Sequence, residues 1–477
     1  MSSIVGLGFA LLAAFQPGAF AQDAYLGTQL FLPDHRLALV FERVAQPDYA
    51  QGLIEGRVAQ ATADWKRIRS KSPRPFLPDS PVFLDGWLFR ESQENLFWPI
   101  QQFGNAFSNI TVSFQTFSQE RSYLQSLKTA LASGDAPDIV MVKNGWIEEI
   151  KTDLTPAPEE LYIPEECYNF FFTFTCDAFS DEDQTLATPL FVRSLVMIVN
   201  RDLLRDDRIV VGDRPSTTWR DLLLADQPNF AQYTEEDEHS FLYLDHPDQG
   251  VTVGRLFNLL MLQSGEERPS QETIEGAIDL IQRLYEVSLP EDSRRARRPW
   301  EKTALELFLE GQVAVIFGTE EEYLQITRSF LTGSNSAVDD EAVAVYPMPQ
   351  ISLEERVTLG ETWGLAVPGD APNPDVAWAF LTYLAEEEPI ESYAQRSKRT
   401  ASRKAIADFG IFRDSALQAQ NPIPPFDALD FYDLLANNVA QLLRDDWGRD
   451  ETPTTAADVV AAIIAFREEY EAKVSDE

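Results

Sequence analysis

Ala187–Leu204 reads ATPLFVRSLVMIVNRDLL, and the rest of the chain makes sense as two bodies on either side of it. From Leu190 to Val199 the run is apolar and β-branched, broken only by Arg193 and Ser194. That is too short to cross a bilayer and rich enough for a buried strand. Pro189 stands just before it, where a missing N–H is tolerated, and Asn200-Arg201-Asp202 ends it in favour of a helix from Leu203. A charge in the middle of a buried strand must either be paired or face a cleft, and at Arg193 both readings stand.

Length and composition bound the rest. At 477 residues the chain exceeds one ordinary core and fits two large bodies or about three smaller ones. A formal charge of -38 excludes nucleic acid and an anionic lipid surface as partners, since both need a basic footprint. The three histidines, His35, His239 and His246, stand in no metal-ligand spacing. Zinc chemistry and histidine acid–base catalysis therefore have little to work with. There is also no nucleophile elbow, phosphate loop or metal cluster, so no cofactor, no metal and no catalytic centre are expected.

The first 21 residues carry an apolar run from Ile4 to Phe15, a Pro-Gly break and Ala19-Phe20-Ala21, the features of an export signal peptide without its usual basic start. A retained anchor is the alternative. The two cysteines, Cys167 and Cys176, close an aromatic stretch, CYNFFFTFTC, and in an exported chain a local disulfide is the expected pairing.

Beyond a Pro-punctuated extension over 22–81, with one possible helix at Gln51–Ile68, strands and helices alternate. Pro81–Leu88 predicts a strand ending at Gly86-Trp87, then a helix across Glu91–Phe103. A strand at Ile110–Thr116 leads through Ser118, a good N-cap, to a helix with Tyr123, Leu124, Leu127, Ala130 and Leu131 on one face. Gly134 closes that helix and Asp138–Val142 forms a fully apolar third strand. This is the pattern of a parallel α/β sheet, which places ligands at the carboxyl ends of its strands, here Asn144-Gly145-Trp146. Later come a capping box at Thr218-Trp219-Arg220-Asp221, an acidic loop over 225–250, and helices at Val253–Gln263, Gln271–Val287 and Lys302–Glu310. Strands follow at Val313–Phe317, Ala342–Tyr346 and Leu365–Val367, the last entered through Glu361-Thr362-Trp363. A helix at Asp375–Glu387 and a mostly helical tail complete the chain.

The ordered series TALASGDAPDIVMVKNGW, ATPLFVRSLVMIVNRDLL, PSTTWRDLL, ALELFLEGQVAVIFG, VYPMPQ and WGLAVPGDAPNPDVAWAFLTYLA resembles the extracellular solute-binding proteins of ABC importers, the family-1 group that includes maltose-binding proteins. The resemblance covers about residues 82–470. It implies a two-lobed α/β periplasmic-binding-protein type II fold with a ligand cleft between lobes, a solute captured by closure, and delivery to a membrane permease. By it, lobe 1 would be 82–191 with 346–392, and lobe 2 would be 192–345 with 393–477. The cleft would be lined by Trp87 after the first strand, Asn144 and Trp146 after the third, Phe191 and Arg193 on the crossing run, Thr319 and Glu320 after VAVIFG, and Glu361 and Trp363. Many relatives place an aromatic directly after the VAVIFG-like strand; here Tyr323 is the nearest.

Taken alone, large aromatics just past strands plug cores more often than they stack on sugars. The resemblance reverses that order for Trp146 and Trp363. Glu320, Glu321 and Glu322 are consecutive and cannot flank one glycosidic bond, so they read as solvated charge, with Glu320 available as a hydroxyl acceptor. The expectation is a monomeric, periplasmic or extracellular binding protein for a sugar or oligosaccharide, without catalysis. The rivals are a surface-displayed glycan- or peptide-binding protein that feeds no importer, and an extracellular polysaccharide hydrolase. The crossing position of the opening run places Arg193 at the floor of the cleft.

Overall fold

The computed structural model describes residues 78, 80–158, 164–181, 184–203, 210–211, 214–215, 218–225, 240–246, 251–288, 302–332, 337–354, 356–406, 410–426, 428–445 and 454–476. The export segment, the possible helix at Gln51–Ile68 and nearly all of the 22–81 extension lie outside the described residues. In chain order, the longer elements begin with strands β1 (Val82–Phe89), β2 (Ile110–Phe117) and β3 (Ile139–Lys143), with helices α1 (Phe97–Ala106) and α2 (Glu120–Ser133) between them. β1 and β2 alternate buried and exposed residues along much of their length, whereas β3 is buried throughout, as a strand with both faces covered must be. Gly134 ends α2 at φ 70°, a conformation that costs glycine least.

The opening run does not form one strand. It breaks at Leu195 into β4 (Ala187–Ser194) and β5 (Val196–Asn200), which belong to different sheets. Next come β6 (Ser240–Leu242), α3 (Val251–Gln263), α4 (Gln271–Ser288), β7 (Val313–Gly318), α5 (Glu320–Thr332) and β8 (Val343–Pro347). They are followed by β9 (Thr358–Pro368), α6 (Pro374–Leu384), α7 (Glu387–Ser397), β10 (Thr400–Ala401), α8 (Leu429–Asp445) and α9 (Ala456–Asp476).

The larger sheet has eight strands, in the order β10-β4-β9-β3-β1-β2, with the short strands Leu154–Thr155 and Ala419–Gln420 also paired to β9. β1 lies parallel to β2 and β3, and β9 runs antiparallel to both β3 and β4. The smaller sheet has four strands in the order β6-β7-β5-β8. Its central strand β5 is apolar on every residue but Asn200 because both faces are covered. Met197 and Val199 pack toward α3, α4 and α8, while Val196 and Ile198 pack toward Phe308, Ile316 and Ile326. The stripe of α4, Ile274, Ala277, Ile278, Ile281 and Leu284, is buried as its spacing requires.

The chain crosses between sheets at Leu195, and β9 closes that crossing: Leu195 N–H donates to Leu359 O at 3.3 Å, and Thr358 Oγ1 donates to Leu195 O at 3.0 Å. β9 is much longer than Leu365–Val367, so Glu361, Thr362 and Trp363 lie inside a strand, not on a turn entering it. Its register against β4 slips between Trp363 and Gly364, opposite Pro189, which has no N–H to give.

Other local expectations are also revised. The predicted helix from Glu91 is a 3₁₀ turn at Gln93–Leu96 followed by α1, and α2 is entered through Gln119, without a side-chain cap from Ser118. Arg201–Leu203 form a turn, and residues 204–209, where a helix was expected, lie outside the described residues. The aromatic stretch at 164–178 is a pair of short helices, Pro164–Phe170 and Thr173–Ala178, joined by a disulfide between Cys167 and Cys176.

Candidate functional site

Where the two sheets meet, Glu361 on β9 is the hub of a buried ionic cluster. It accepts from Lys143 Nζ at 3.2 Å and from Arg255 through Nε at 3.2 Å and Nη2 at 2.8 Å. Lys143 ends β3 of the larger sheet, whereas Arg255 lies on α3, which packs in the core of the smaller one. The pair therefore ties one lobe to the other. Arg193 stands directly opposite Glu361 in the β4–β9 register and reaches Glu321, at the start of α5, at 2.8 Å. One residue earlier, Glu320 accepts from Thr400 N at 3.0 Å and from Thr400 Oγ1, linking the first turn of α5 to β10. At the rim, Arg121 on α2 pairs with Asp430 and Asp433 on α8.

Burial would push the Glu361 carboxyl upward, but the Arg255 guanidinium and the Lys143 ammonium more than reverse this and hold it well below the usual carboxylate range. Burial likewise works against charge on Lys143, and the Glu361 carboxylate turns the balance, leaving the ammonium above its usual value. Both partners are thus ionised. At Glu320 burial wins: the carboxyl is pushed up to about 7 despite the Thr400 hydrogen bonds and the nearby Arg193 and Arg399 charges. Glu321 is held low, chiefly by Arg193.

The expected site residues separate into two groups. Arg193, Glu320 and Glu361 come together in the ionic cluster. Thr319 stands just before α5 in a capping role: its N–H donates to Glu322 Oε2 at 2.7 Å and its Oγ1 accepts from Glu321 N–H at 3.2 Å. Asn144 is a strut, donating to Gly360 O and Asn421 Oδ1, each at 2.9 Å, and accepting from Thr362 N–H at 3.3 Å. The strut needs Gly360 as glycine, since a Cβ there would sit 2.6 Å from the Phe174 ring. Trp146, Trp363 and Phe191 are buried in the core of the larger lobe. Trp363 lies edge-on to Trp146 at 5.2 Å and stacks with Phe89 at 5.3 Å and Phe191 at 6.1 Å. Lys143 Nζ lies 5.9 Å from the Trp363 ring centroid and the Arg399 guanidinium 4.4 Å from that of Phe191. Trp87 is inside β1, not in a loop after it, and lines an open groove between β1 and one flank of α2, outside the ionic cluster.

Three buried polar atoms here have no hydrogen-bond partner among the described residues: Arg193 Nε, Glu320 Oε1 and Trp363 Nε1. Sequence reasoning missed Lys143, Arg255, Glu321, Arg399 and Thr400. Two of them carry a signal in hindsight. Lys143 is a charge at the end of a wholly apolar strand, and Arg255 interrupts the apolar run of VTVGRLFNLL. The approach of Arg399 and Thr400 to α5 depends on distant segments and leaves no local trace.

Two α/β lobes joined by crossing strands, with polar side chains of both lobes converging at the crossing, define a two-lobed binding protein. The sequence profile described as "Bacterial extracellular solute-binding protein" matches residues 98–390, more than half of the chain, and the chain belongs to that family. Comparison with curated proteins finds no match. Among solved structures, the fold is similar to the sugar-binding protein MalE from Xanthomonas citri (TM-score 0.64, 14% identity, covering 82% of this chain and 98% of that one). It is also similar to the GacH receptor of Streptomyces glaucescens, solved unliganded and with acarbose (TM-score 0.61, 16% identity, covering 82% and 100%). A third is the cyclic alpha-maltosyl-1,6-maltose binding protein from Arthrobacter globiformis (TM-score 0.59, 16% identity, covering 83% and 100%).

Proposed function

We propose that the chain captures a neutral sugar or oligosaccharide in the cleft between its lobes and hands it to an ABC importer's permease. It would act outside the cytoplasm after export by its N-terminal segment, as a monomer without catalysis of its own. The observation that carries this reading is the ionic cluster. Arg255, Lys143 and Arg193 offer donors, Glu361, Glu320 and Glu321 offer acceptors, and they come from both lobes. Such a balanced set suits hydroxyls, each of which donates once and accepts twice. The unpartnered Arg193 Nε and Glu320 Oε1 add one donor and one acceptor at the same cluster. An anionic solute would have to compete with Glu361 and Glu321 for the same cations. The solved proteins of this fold whose names include maltose, maltodextrin or acarbose favour the same class.

Closure is the working motion, driven by a solute that binds the closed arrangement more tightly than the open one. The lobes would divide as 82–191 with 346–392 and 192–345 with 393–477.

A thermal-shift panel of sugars, oligosaccharides, peptides, polyamines and amino acids tests the reading. A ligand at about 100 times its Kd adds ~2.7 kcal/mol of stability. The expected result is stabilisation by a neutral sugar or oligosaccharide. Stabilisation by peptides with none by sugars would reject it.

A further inference from the structure

The larger lobe carries a second polar and aromatic surface, between β1, β2 and α2, that shares no residue with the ionic cluster. On β1, Phe83, Asp85 and Trp87 share one face, where Trp87 packs against the core while Phe83 and Asp85 reach beyond it, and in register beside them β2 presents Thr111, Ser113 and Gln115. α2 leaves much of this face open. Phe83 is 70% exposed, Asp85 and the three β2 residues are exposed, and Trp87 is half-buried beside Phe117, their ring centroids 5.2 Å apart.

Between this face and the flank of α2 runs an open groove of about 490 Å³, where Trp87 meets Gln125, Ser126, Thr129, Ser133 and Asp135. Its chemistry is one indole surrounded by an amide, hydroxyls and a carboxylate, with no lysine or arginine among the described lining residues. An indole face offers itself to the C–H face of a pyranose, while the amide and carboxylate take its hydroxyls. An anion finds no counter-charge here, on a chain whose formal charge is -38. Phe83 lies four residues from Trp87 on the same face, about 13 Å along the strand. A second ring at that distance suits an extended ligand better than a single sugar.

We propose that this groove and the neighbouring β1–β2 face form an exterior binding site for a neutral glycan chain, separate from the cleft. None of its residues belongs to the ionic cluster, and the proposal does not rest on the identity of the cleft solute.

Native affinity electrophoresis of the full chain through gels containing amylopectin, xylan or glucomannan tests it, with Trp87→Ala, Thr129→Arg and Glu361→Gln run beside the parent. Thr129 is exposed on α2, so an arginine there fills the groove without entering the core and serves if Trp87→Ala fails to fold. At least one glycan should retard the parent and Glu361→Gln alike, with apparent affinity falling about tenfold or more in Trp87→Ala and Thr129→Arg. No retardation of the parent by any of the three, or retardation of Thr129→Arg equal to the parent's, overturns the proposal. Retardation abolished in Glu361→Gln but kept in Thr129→Arg places the glycan in the cleft and overturns it as well.

Discussion

In the core of the larger lobe, behind the ionic cluster, Trp146 and Trp363 meet edge-on at 5.2 Å and are 2% and 3% exposed, whereas Trp87, on β1 of the same sheet, is half-buried beside an open groove. Trp146 closely follows β3, Trp87 lies near the carboxyl end of β1 and Trp363 lies in the middle of β9; in each place a ring can serve a ligand or plug a core. The difference is what packs above them. Trp363 has Phe89, Trp146 and Phe191 around its ring, while Trp87 has Phe117 and the polar flank of α2. The Glu361 cluster is thus a set of ions backed by aromatic rings, and the groove beside α2 a ring backed by polar side chains.

Truncation should separate the two regions most sharply. Trp363→Ala removes a fully packed ring and should cost about 3–5 kcal/mol of stability in urea unfolding. Trp87→Ala should cost clearly less. Equal losses would break the contrast.

Glu361→Ala should follow closely, at about 3–5 kcal/mol, because it strands Lys143 and Arg255 as buried charges without their partner. Glu361→Gln, which keeps the shape and one acceptor, should cost less. A harmless Glu361→Ala would mean the cluster is solvated and not a floor.

A smaller effect is expected from pH. Burial raises the Glu320 carboxyl from 4.5 to about 7, so the folded chain holds this proton more tightly than the unfolded chain. The stabilising contribution is full below about pH 4.5 and is lost as pH rises through about 7. The stability of the parent relative to Glu320→Gln, which cannot titrate, should therefore decline across that window in parallel thermal melts. A flat difference would contradict the assigned environment. Glu361 works in the opposite sense: its depressed carboxyl contributes above the ordinary carboxylate range and loses its contribution as pH falls.

The smallest effect belongs to the rim. Arg121 is 61% exposed, and Arg121→Ala should change stability by at most ~1 kcal/mol, less at high salt.

Much of this is legible in the sequence. The apolar strand of β3, the stripe of α4 and the ordered series of segments identify the fold, because burial on one face or both imposes a local period that sequence retains. Arg193 is legible as a charge on a strand too apolar to carry it idly, whereas Glu361 enters only through the resemblance, and on a turn, not inside the strand where it lies. The environment of the tryptophans is not legible. Whether a ring is caged depends on Phe89 and Phe191, far away in the chain, and nothing in the residues beside Trp363 records their approach. The crossing of the opening run is legible by resemblance, with Pro189–Val192 on one side and Leu195–Val199 on the other; the bonds of Leu195 to Thr358 and Leu359 fix the break at that residue. Thr319 illustrates a different lesson, since the spacing Thr319-Glu320-Glu321-Glu322 is itself a helix-start signal that competes with any reading of it as a ligand contact.

The central claim is that the ionic floor, not the tryptophan pair, holds the solute. It is tested most directly by titration calorimetry with the sugar that gives the largest thermal shift, comparing Glu361→Gln with Trp363→Phe, which keeps an aromatic ring in the core. The account predicts an affinity loss of about tenfold or more for Glu361→Gln, equivalent to ~1.4 kcal/mol, and little change for Trp363→Phe. Affinity lost in Trp363→Phe and retained in Glu361→Gln would contradict it.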